Sequence, residues 1–182
     1  MALPGRGSYL QARDAQGNAL GAVILPASRL LAPDATSAPP IPAAPGATFG
    51  GAFRLHGYEA PAGPHAPGGT FDVTLYWESL IDAGEDFTVF VHLLAADGAM
   101  RGQGDGPPAS GDYPTSLWLA GQWIEDAHTV TIEPDTPPGE YTLAVGFYRP
   151  GDGSRLEVRD EAGNRPPDDA FTLDLSVQIG AP

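Results

Sequence analysis

Apolar and polar side chains alternate with a period of two residues along most of the chain after residue 48. The alternation is strongest at 70–77, 140–147 and 171–179, and weaker segments of the same kind fit 52–58, 99–104, 124–132 and 154–159. Turn sequences rich in Asp, Gly and Pro separate these segments, and no stretch of twelve residues has a helical period without Gly or Pro. Such alternation is typical of antiparallel strands with one buried face and one face in water. The pattern predicts an all-β fold, an antiparallel two-sheet β-sandwich at 48–180, immunoglobulin-like or jelly-roll in topology.

One predicted strand, at 87–94, is apolar on both faces. Its odd-numbered residues are apolar, and on the opposite face Phe90 stands beside His92. A strand of this kind is central in a sheet and has something covering its outer face. The long segment 105–122 follows in sequence and carries Pro, Tyr and Trp, so we expect Trp118 to cover the outer face around Phe90.

The first part of the chain is organised differently. Residues 8–25 have the pattern of a β-hairpin around a turn at 14–18 that contains Asp, Gly and Asn. Because a hairpin alone is only marginally stable in water, we expect it to dock on the sandwich. Five prolines between residues 31 and 48 make that stretch unsuited to a helix or a ladder. The sequence therefore divides into an N-terminal β-hairpin segment at 1–30, a Pro- and Ala-rich linker at 31–47 and the sandwich at 48–180.

Charge narrows the classes of partner. The formal net charge is −14, from 23 acidic residues against nine Arg, and the chain contains no Lys. Such a surface repels phosphate backbones and anionic lipids, so we expect no nucleic-acid partner and no direct membrane insertion. No segment approaches the length of an apolar membrane helix, and the first residues lack the apolar centre of a signal peptide.

Motifs for catalysis are absent from the sequence. It contains no Gly-x-Ser-x-Gly elbow, no His-Glu-x-x-His, no phosphate-binding loop and no Cys. Adjacent carboxylates such as Glu125 and Asp126 point to opposite faces of a strand, so their adjacency does not predict a glycosidase pair. We expect no catalytic residue, no metal-ligating residue and no cofactor.

Histidines and turn aspartates are the remaining candidates for metal ligands. His92 and His128 fall beside apolar residues by parity, and we interpret each as a buried neutral imidazole bonded to a backbone carbonyl. The aspartates in Gly-rich turns are Asp97, Asp105, Asp112 and Asp152. Their carboxylates could hold calcium, but the spacing of an EF-hand is absent and Asp-Gly is common in ordinary turns. An ordinary turn is therefore the preferred interpretation.

Six short motifs occur along the chain in this order: LHGY at 55–58, VTLYW at 73–77, TVFVHLL at 88–94, DGPP at 105–108, YPTS at 113–116 and PPGEY at 137–141. In this combination the chain resembles an uncharacterised C-terminal β-sandwich module of bacterial multi-pass glycosyltransferases similar to protein O-mannosyltransferases, also found in related envelope proteins. The resemblance covers about 48–180 and implies an extracytoplasmic accessory domain of the cell envelope, beside lipid-linked sugar chemistry. It implies no transferase activity, because the transmembrane catalytic part of such enzymes is not in this sequence.

Aromatic and acidic residues on and beside the long segment are the candidates for ligand binding. By parity Trp77 points inward, whereas Trp123 is out of phase with its buried neighbours and points outward. Sugar rings stack on aromatic side chains, and carboxylates accept hydrogen bonds from hydroxyls. The candidate residues are Tyr113, Trp118, Trp123, Asp105 and Asp112. For Trp118 the preferred interpretation is instead a buried lid on the apolar outer face around Phe90, because exposed Trp clusters are uncommon without a partner.

The sequence leaves two functions open. In the first, the chain is a non-catalytic accessory module that binds carbohydrate or an envelope partner. In the second, it is a purely structural domain that caps or spaces a membrane enzyme and binds no small molecule. A glycan array with and without calcium distinguishes the two.

Overall fold

The computed structural model describes residues 44–61 and 63–180, together with the backbones of three strands nearer the N-terminus. Numbered in chain order, the strands are β1 (Tyr9–Arg13), β2 (Ala19–Ile24), β3 (Leu30–Leu31), β4 (Ala47–Phe49), β5 (Phe53–Glu59), β6 (Thr70–Ser79), β7 (Thr88–Leu94), β8 (Met100–Gln103), β9 (Trp123–Ile132), β10 (Gly139–Tyr148), β11 (Val158–Asp160), β12 (Phe171–Thr172) and β13 (Val177–Ile179). Short 3-10 helices lie at Pro108–Gly111, Thr115–Leu117 and Pro167–Asp169. No helix in this described part of the chain combines the length and the apolar character that crossing a bilayer requires.

Eleven strands form one continuous antiparallel sheet that curls until it nearly closes into a barrel. Its order is β11-β4-β5-β6-β9-β8-β7-β10-β12, with β13 beside β10 and β3 beside β9. The prediction of an all-β antiparallel fold is confirmed. Hydrogen bonds join the strands without a break, so they do not divide the strands into the two sheets of a sandwich.

Two seams bring the ends of the sheet together around β10. After β10 the chain turns back, and the Leu156 backbone nitrogen donates to the Phe147 carbonyl at 2.9 Å before the chain continues as β11 beside β4. At the start of β10, β13 pairs with it and also forms a parallel bridge from Ile179 to His65. Covered edges of this kind protect a sheet from pairing with other chains.

The N-terminal strands are described only by their backbones. β1 and β2 pair antiparallel, with Tyr9 opposite Ile24, and form a two-stranded sheet of their own. β3 pairs with β9, which places Leu31 opposite Trp123. The predicted turn at 14–18 and most of the predicted linker, 32–43, lie outside the described residues.

An aromatic cluster fills the interior of the barrel. Its members are Phe49, Phe53, Trp77, Trp118 and Phe147, and none has exposed surface. The ring of Phe53 lies 5.2 Å from Trp118 and 4.6 Å from Phe147, measured between centroids. Full burial of a side chain such as Phe contributes about 1.5–3 kcal/mol. The inward position of Trp77 and the burial of Trp118 agree with the sequence prediction.

The cover over Phe90 differs from the one that the sequence predicts. Phe90 is 1% exposed, and the guanidinium carbon of Arg155 lies 4.3 Å from its ring centroid. The ring also lies against Gly146 of β10, where an added Cβ would come 2.5 Å from Cε1 of Phe90. Trp118 packs on Phe53 in the interior instead. The expected lid was wrong because alternation assigns a residue to a face but does not identify the element that crosses that face.

The predicted last strand, 171–179, is interrupted. Regular pairing from Ala144–Thr172 would bring Leu175 opposite Tyr141, but Val177 lies there. The intervening backbone turns away from β10, and the Asp174 nitrogen donates to the Tyr58 hydroxyl at 2.7 Å. One run of alternating residues therefore contains two short strands, β12 and β13.

Candidate functional site

A row of five outward-facing residues crosses five neighbouring strands at one level of the sheet. The register places Arg159 of β11 opposite Thr48 of β4, and Thr48 opposite Arg54 of β5. It continues from Arg54 to Glu78 of β6 and from Glu78 to Trp123 of β9. Each of these residues is half-buried or exposed, while their neighbours along the strands are buried, apart from the half-buried Asp160. With strands about 4.8 Å apart, the row spans roughly 19 Å.

A bulge in β5 adds a sixth side chain to this row. Leu55 is opposite Trp77, but Gly57 is opposite Tyr76, so His56 has no partner on β6. Bulges of this type re-aim a side chain. Here the His56 ring lies over the row, with its centroid 4.2 Å from the Trp123 ring and an interplanar angle of 36°.

Charges along the row are paired with each other. Glu78 Oε2 accepts a hydrogen bond from Arg54 Nη1 at 3.2 Å and lies 2.7 Å from His56 Nε2. Arg159 donates from Nε to Glu157 Oε1 at 2.8 Å. The face therefore offers fixed donors and acceptors beside an aromatic ring, without a single dominant charge.

A cleft of about 380 Å³ opens at the arginine end of the row. Its polar lining comes from Thr48, Arg54, His56, Arg159, Asp160 and Glu161. A cleft of this volume with a few polar groups is of the size that small-molecule sites have. Row and cleft are continuous, because Arg54, Thr48, His56 and Arg159 belong to both.

Acidic and phenolic groups lie beside the row, two positions further along β6 and β9 on the same face of the sheet. Tyr76 is opposite Glu125 and donates from its hydroxyl to Glu59 Oε2 at 3.3 Å. Burial, and then the charges of Glu59 and Glu125, raise the pKa of Tyr76 above its ordinary value. Tyr76 is therefore a neutral hydroxyl that stays available as a hydrogen-bonding group beside the row.

The five candidate residues from the sequence do not form one site. Trp123 is half-buried and belongs to the row, as its parity predicts. Trp118 has no exposed surface, and its Nε1 donates to the Tyr113 carbonyl at 3.0 Å. The Tyr113 hydroxyl donates to Gln122 Oε1 at 2.8 Å, and Asp112 is exposed nearby in sequence. Tyr113 and Trp118 thus lie together, but Trp118 offers no ring face to a ligand.

Asp105 lies elsewhere, beside the outer face of β7. Its Oδ1 is 3.4 Å from His92 Nε2 and accepts from the Val91 nitrogen at 3.3 Å. His92 faces a second cleft, of about 530 Å³, whose other side carries Arg155 and Asp168. This cleft has no exposed aromatic ring, so it lacks the stacking group that the row has.

The row residues Arg54, His56, Glu78 and Arg159 were missed by sequence reasoning. Their approach depends on the pairing of strands that are far apart in the chain, and alternation does not reveal register. One signal was present for His56. Leu55 and Tyr58 are both buried although three positions apart, and this break in the alternation indicates a bulge.

His128 is buried, as its parity predicts, and the pKa of its ring is raised above the ordinary value. His128 is 5% exposed, its Nδ1 lies 3.0 Å from the Gly104 carbonyl, and its Nε2 faces Asp126. Burial opposes the charge on the ring, but the hydrogen bond and the charge of Asp126 outweigh it and raise the pKa of His128. The predicted carbonyl bond is present, but the carboxylate two residues away shares the same face and favours the protonated ring over the neutral ring that the sequence predicts.

No group of three or more His, Asp or Glu side chains converges on a possible metal position within the described residues. The turn aspartates considered for calcium therefore belong to no such group in that part of the chain. Asp152 and Asp97 instead bond backbone nitrogens two residues further along the chain, as in ordinary turns.

The chain matches no family model and no curated protein. The chemistry of the row and its cleft is therefore the basis for assigning a function.

Proposed function

We propose that the chain is a non-catalytic accessory module that binds carbohydrate on the row from Arg159 to Trp123. The observation that carries this proposal is the placement of a half-buried tryptophan and a polar cleft on the same sheet face. Sugar rings have apolar faces that pack on indole, and their hydroxyls need donors and acceptors in fixed positions. Trp123 supplies the first, and the paired groups Arg54, His56 and Glu78 supply the second.

The shape of the row favours an extended ligand. Trp123 and Arg159 lie on strands four spacings apart, about 19 Å, so a single ring cannot contact both. A chain of several sugar rings lying across the strands would stack on Trp123 and place its other end in the cleft beside Arg159. The side chains are held by hydrogen bonds before binding, which lowers the entropy lost on association.

A binding role fits the row better than a hydrolytic one. Its carboxylate nearest the aromatic ring, Glu78, is held by Arg54 and His56. Glycoside hydrolysis uses two carboxyl groups on either side of the bond that breaks, and the row contributes only one, Glu78.

The biological setting is proposed from the sequence motifs. On that basis the chain is an extracytoplasmic accessory domain of an envelope glycosyltransferase-like protein, and its strands follow the immunoglobulin-like or jelly-roll topology of such modules. The LHGY motif falls on the bulge of β5 and includes His56 of the row, and the VTLYW motif falls on β6. Motifs of the resemblance thus coincide with the strands that build the candidate face.

A glycan array followed by fluorescence titration tests this function. Among the three tryptophans, Trp77 and Trp118 are fully buried, so a ligand on the row should change the emission of Trp123 alone. Trp123→Ala should remove both the binding and the emission change, and Arg54→Ala should weaken binding. Thr131→Ala, an exposed position at the far end of β9, is the matched control and should bind as the unmodified protein does.

The alternative function is a structural domain with no small-molecule ligand. The pairing of charges within the row favours it, since paired surface charges also occur on sheets that bind nothing. A blank array, or binding that Trp123→Ala leaves unchanged, would support this alternative and contradict the row as a glycan site.

A further inference from the structure

Three exposed aliphatic side chains lie on neighbouring loops at one end of the barrel. They are Ile81, Leu117 and Leu119, which are 45%, 53% and 54% exposed. In the described part of the chain only one other large hydrophobic side chain, Met100, is exposed. We call the three residues the aliphatic surface. Such a concentration on an otherwise acidic chain marks an interaction site more often than scattered single residues do.

The two loops that carry these residues are hydrogen-bonded to each other. The Ala120 nitrogen donates to Asp82 Oδ1 at 2.9 Å, and the Ser116 nitrogen donates to Asp86 Oδ1 at 3.1 Å. The Ala83 nitrogen donates to the Trp118 carbonyl at 3.2 Å. These bonds join the loop that carries Ile81 to the 116–120 segment that carries Leu117 and Leu119, so the three aliphatic residues lie on two loops held side by side.

Buried anchors hold this end of the barrel in one conformation. Trp118 lies in the core directly between Leu117 and Leu119 in sequence. Thr115, also fully buried, donates from Oγ1 to the Glu85 carbonyl at 2.7 Å and accepts from the Phe87 nitrogen at 2.8 Å. Gln122 Oε1 accepts from the Leu119 nitrogen at 2.9 Å. The aliphatic groups are therefore presented by an ordered backbone, and a partner would pay little ordering entropy.

The charged residues around the aliphatic surface are acidic. Asp82, Glu85 and Asp86 lie in the first loop, and Asp112 precedes the second. The nearest cation, Arg149, is already paired with Glu85 at 2.9 Å. An apolar centre with a negative rim is complementary to an apolar centre with a positive rim.

We propose that the aliphatic surface docks a partner protein that presents apolar side chains flanked by Lys or Arg. Carboxylates at this position repel anionic lipid headgroups, and two copies of the chain would bring like charges together. The three side chains alone are smaller than a standard interface of about 800 Å² per partner, so they form its centre and the acidic residues form its rim. This surface shares no residue with the row and does not depend on the carbohydrate proposal.

Panning of a random linear peptide library displayed on phage against the immobilised full chain tests this proposal. We expect selected peptides to combine aliphatic or aromatic residues with Lys or Arg, and their affinity to fall as salt is raised. The triple variant Ile81→Ser, Leu117→Ser, Leu119→Ser should weaken the synthetic peptides about tenfold or more. Met100→Ser, which removes the fourth exposed hydrophobic side chain, is the matched control and should leave affinity unchanged.

A second variant protects the test against misfolding. Leu119→Arg alters one exposed side chain and places a positive charge where the partner is positive, so it should also abolish peptide binding while the melting curve is retained. No enrichment, selection of acidic peptides, or binding that both variants preserve would overturn the proposal. Two further results would overturn the proposal. One is binding to phosphatidylcholine vesicles, with or without phosphatidylglycerol, that the triple variant loses. The other is a dimer in light scattering that the triple variant does not form.

Discussion

His128 Nε2 lies 2.8 Å from Asp126 Oδ2 in the interior of the barrel, where the two residues are 5% and 0% exposed. The same carboxylate accepts from Trp77 Nε1 at 3.1 Å and from the Ala109 nitrogen at 2.9 Å. Together with the bond from His128 Nδ1 to the Gly104 carbonyl, this network connects β6, β9 and the segment after β8. Both ring nitrogens face oxygen atoms, an arrangement that favours a protonated imidazole.

The free energy of unfolding should fall as the pH rises above about 6.5, the ordinary pKa of histidine. The pKa of His128 is raised in the folded state, so its contribution is fully present below that ordinary value and is lost as the pH passes the folded pKa. Facing charges are Asp126 on the same strand and Asp105 on the segment after β8. Urea unfolding between pH 5 and 9 measures the effect. The expected loss of unfolding free energy is about 1.4 kcal/mol for each unit by which the folded pKa exceeds the unfolded pKa.

The control for this pH dependence is the His128→Gln variant, which cannot titrate. Subtracting its unfolding curve from that of the unmodified protein removes the contributions of the other histidines. If this difference in unfolding free energy rises with pH across the range, His128 does not have the raised pKa. The same subtraction made in a His56→Gln background should give the same pH dependence.

Removing the carboxylate should destabilise the fold strongly. Asp126→Ala leaves a buried cation without its partner and leaves Trp77 Nε1 without an acceptor, so we expect a loss of about 3–5 kcal/mol in the free energy of unfolding. Asp72→Ala, at an exposed aspartate on β6 that accepts a hydrogen bond from Thr129, should change stability by no more than about 0.5 kcal/mol. Equal losses of unfolding free energy for the two variants in denaturant titrations would show that the buried pair contributes no more to stability than an exposed hydrogen bond.

Substitution of Trp118 should lower the stability of the protein much more than substitution of Tyr113. Trp118→Ala removes a fully buried ring that contacts Phe53 and should cost about 3–5 kcal/mol. Tyr113→Phe removes only the hydroxyl, whose single proton is shared between Gln122 Oε1 and the Leu117 carbonyl, and should cost about 0.5–1.5 kcal/mol. Thermal unfolding of both variants provides the comparison. A neutral Trp118→Ala would contradict its place in the core.

Parity along single strands was enough to assign inward and outward residues. Trp77 and Trp123 lie on opposite faces, as the alternation of their strands predicts, because the pleat of a strand is a local property. The burial of Trp118 was also predicted, from the need for a cover on the strand at 87–94, although Trp118 packs on Phe53 and not on Phe90.

Contacts between distant strands could not be read from the sequence in the same way. The row from Arg159 to Trp123 depends on four strand pairings whose registers are set by the whole barrel. The cover over Phe90 depends on Arg155, which lies sixty-five positions away and carries no apolar signal. The charge on His128 depends on its distance to Asp126, and the two-residue spacing alone indicated only a shared face.

Gly146→Ala should destabilise the protein although alanine is ordinarily tolerated in strands. An added Cβ would come 2.5 Å from Cε1 of Phe90 and 3.1 Å from the Asp169 carbonyl oxygen. Phe90 cannot move outward because Arg155 lies over its ring, so we expect a cost of about 1–3 kcal/mol from overpacking. Gly151→Ala is the control, since nothing lies within 4 Å of that position.

A double-mutant cycle identifies the ring as the cause. Phe90→Leu removes the atoms that an added Cβ would meet, so Gly146→Ala should cost less in the Phe90→Leu background than alone. Chemical denaturation of the unmodified protein, the two single variants and the double variant gives the coupling free energy. The double variant should be more stable than the sum of the two single costs predicts. Additive costs would mean that the strain comes from the Asp169 backbone instead, and the segment after β11 would then be the element that fixes glycine at this position.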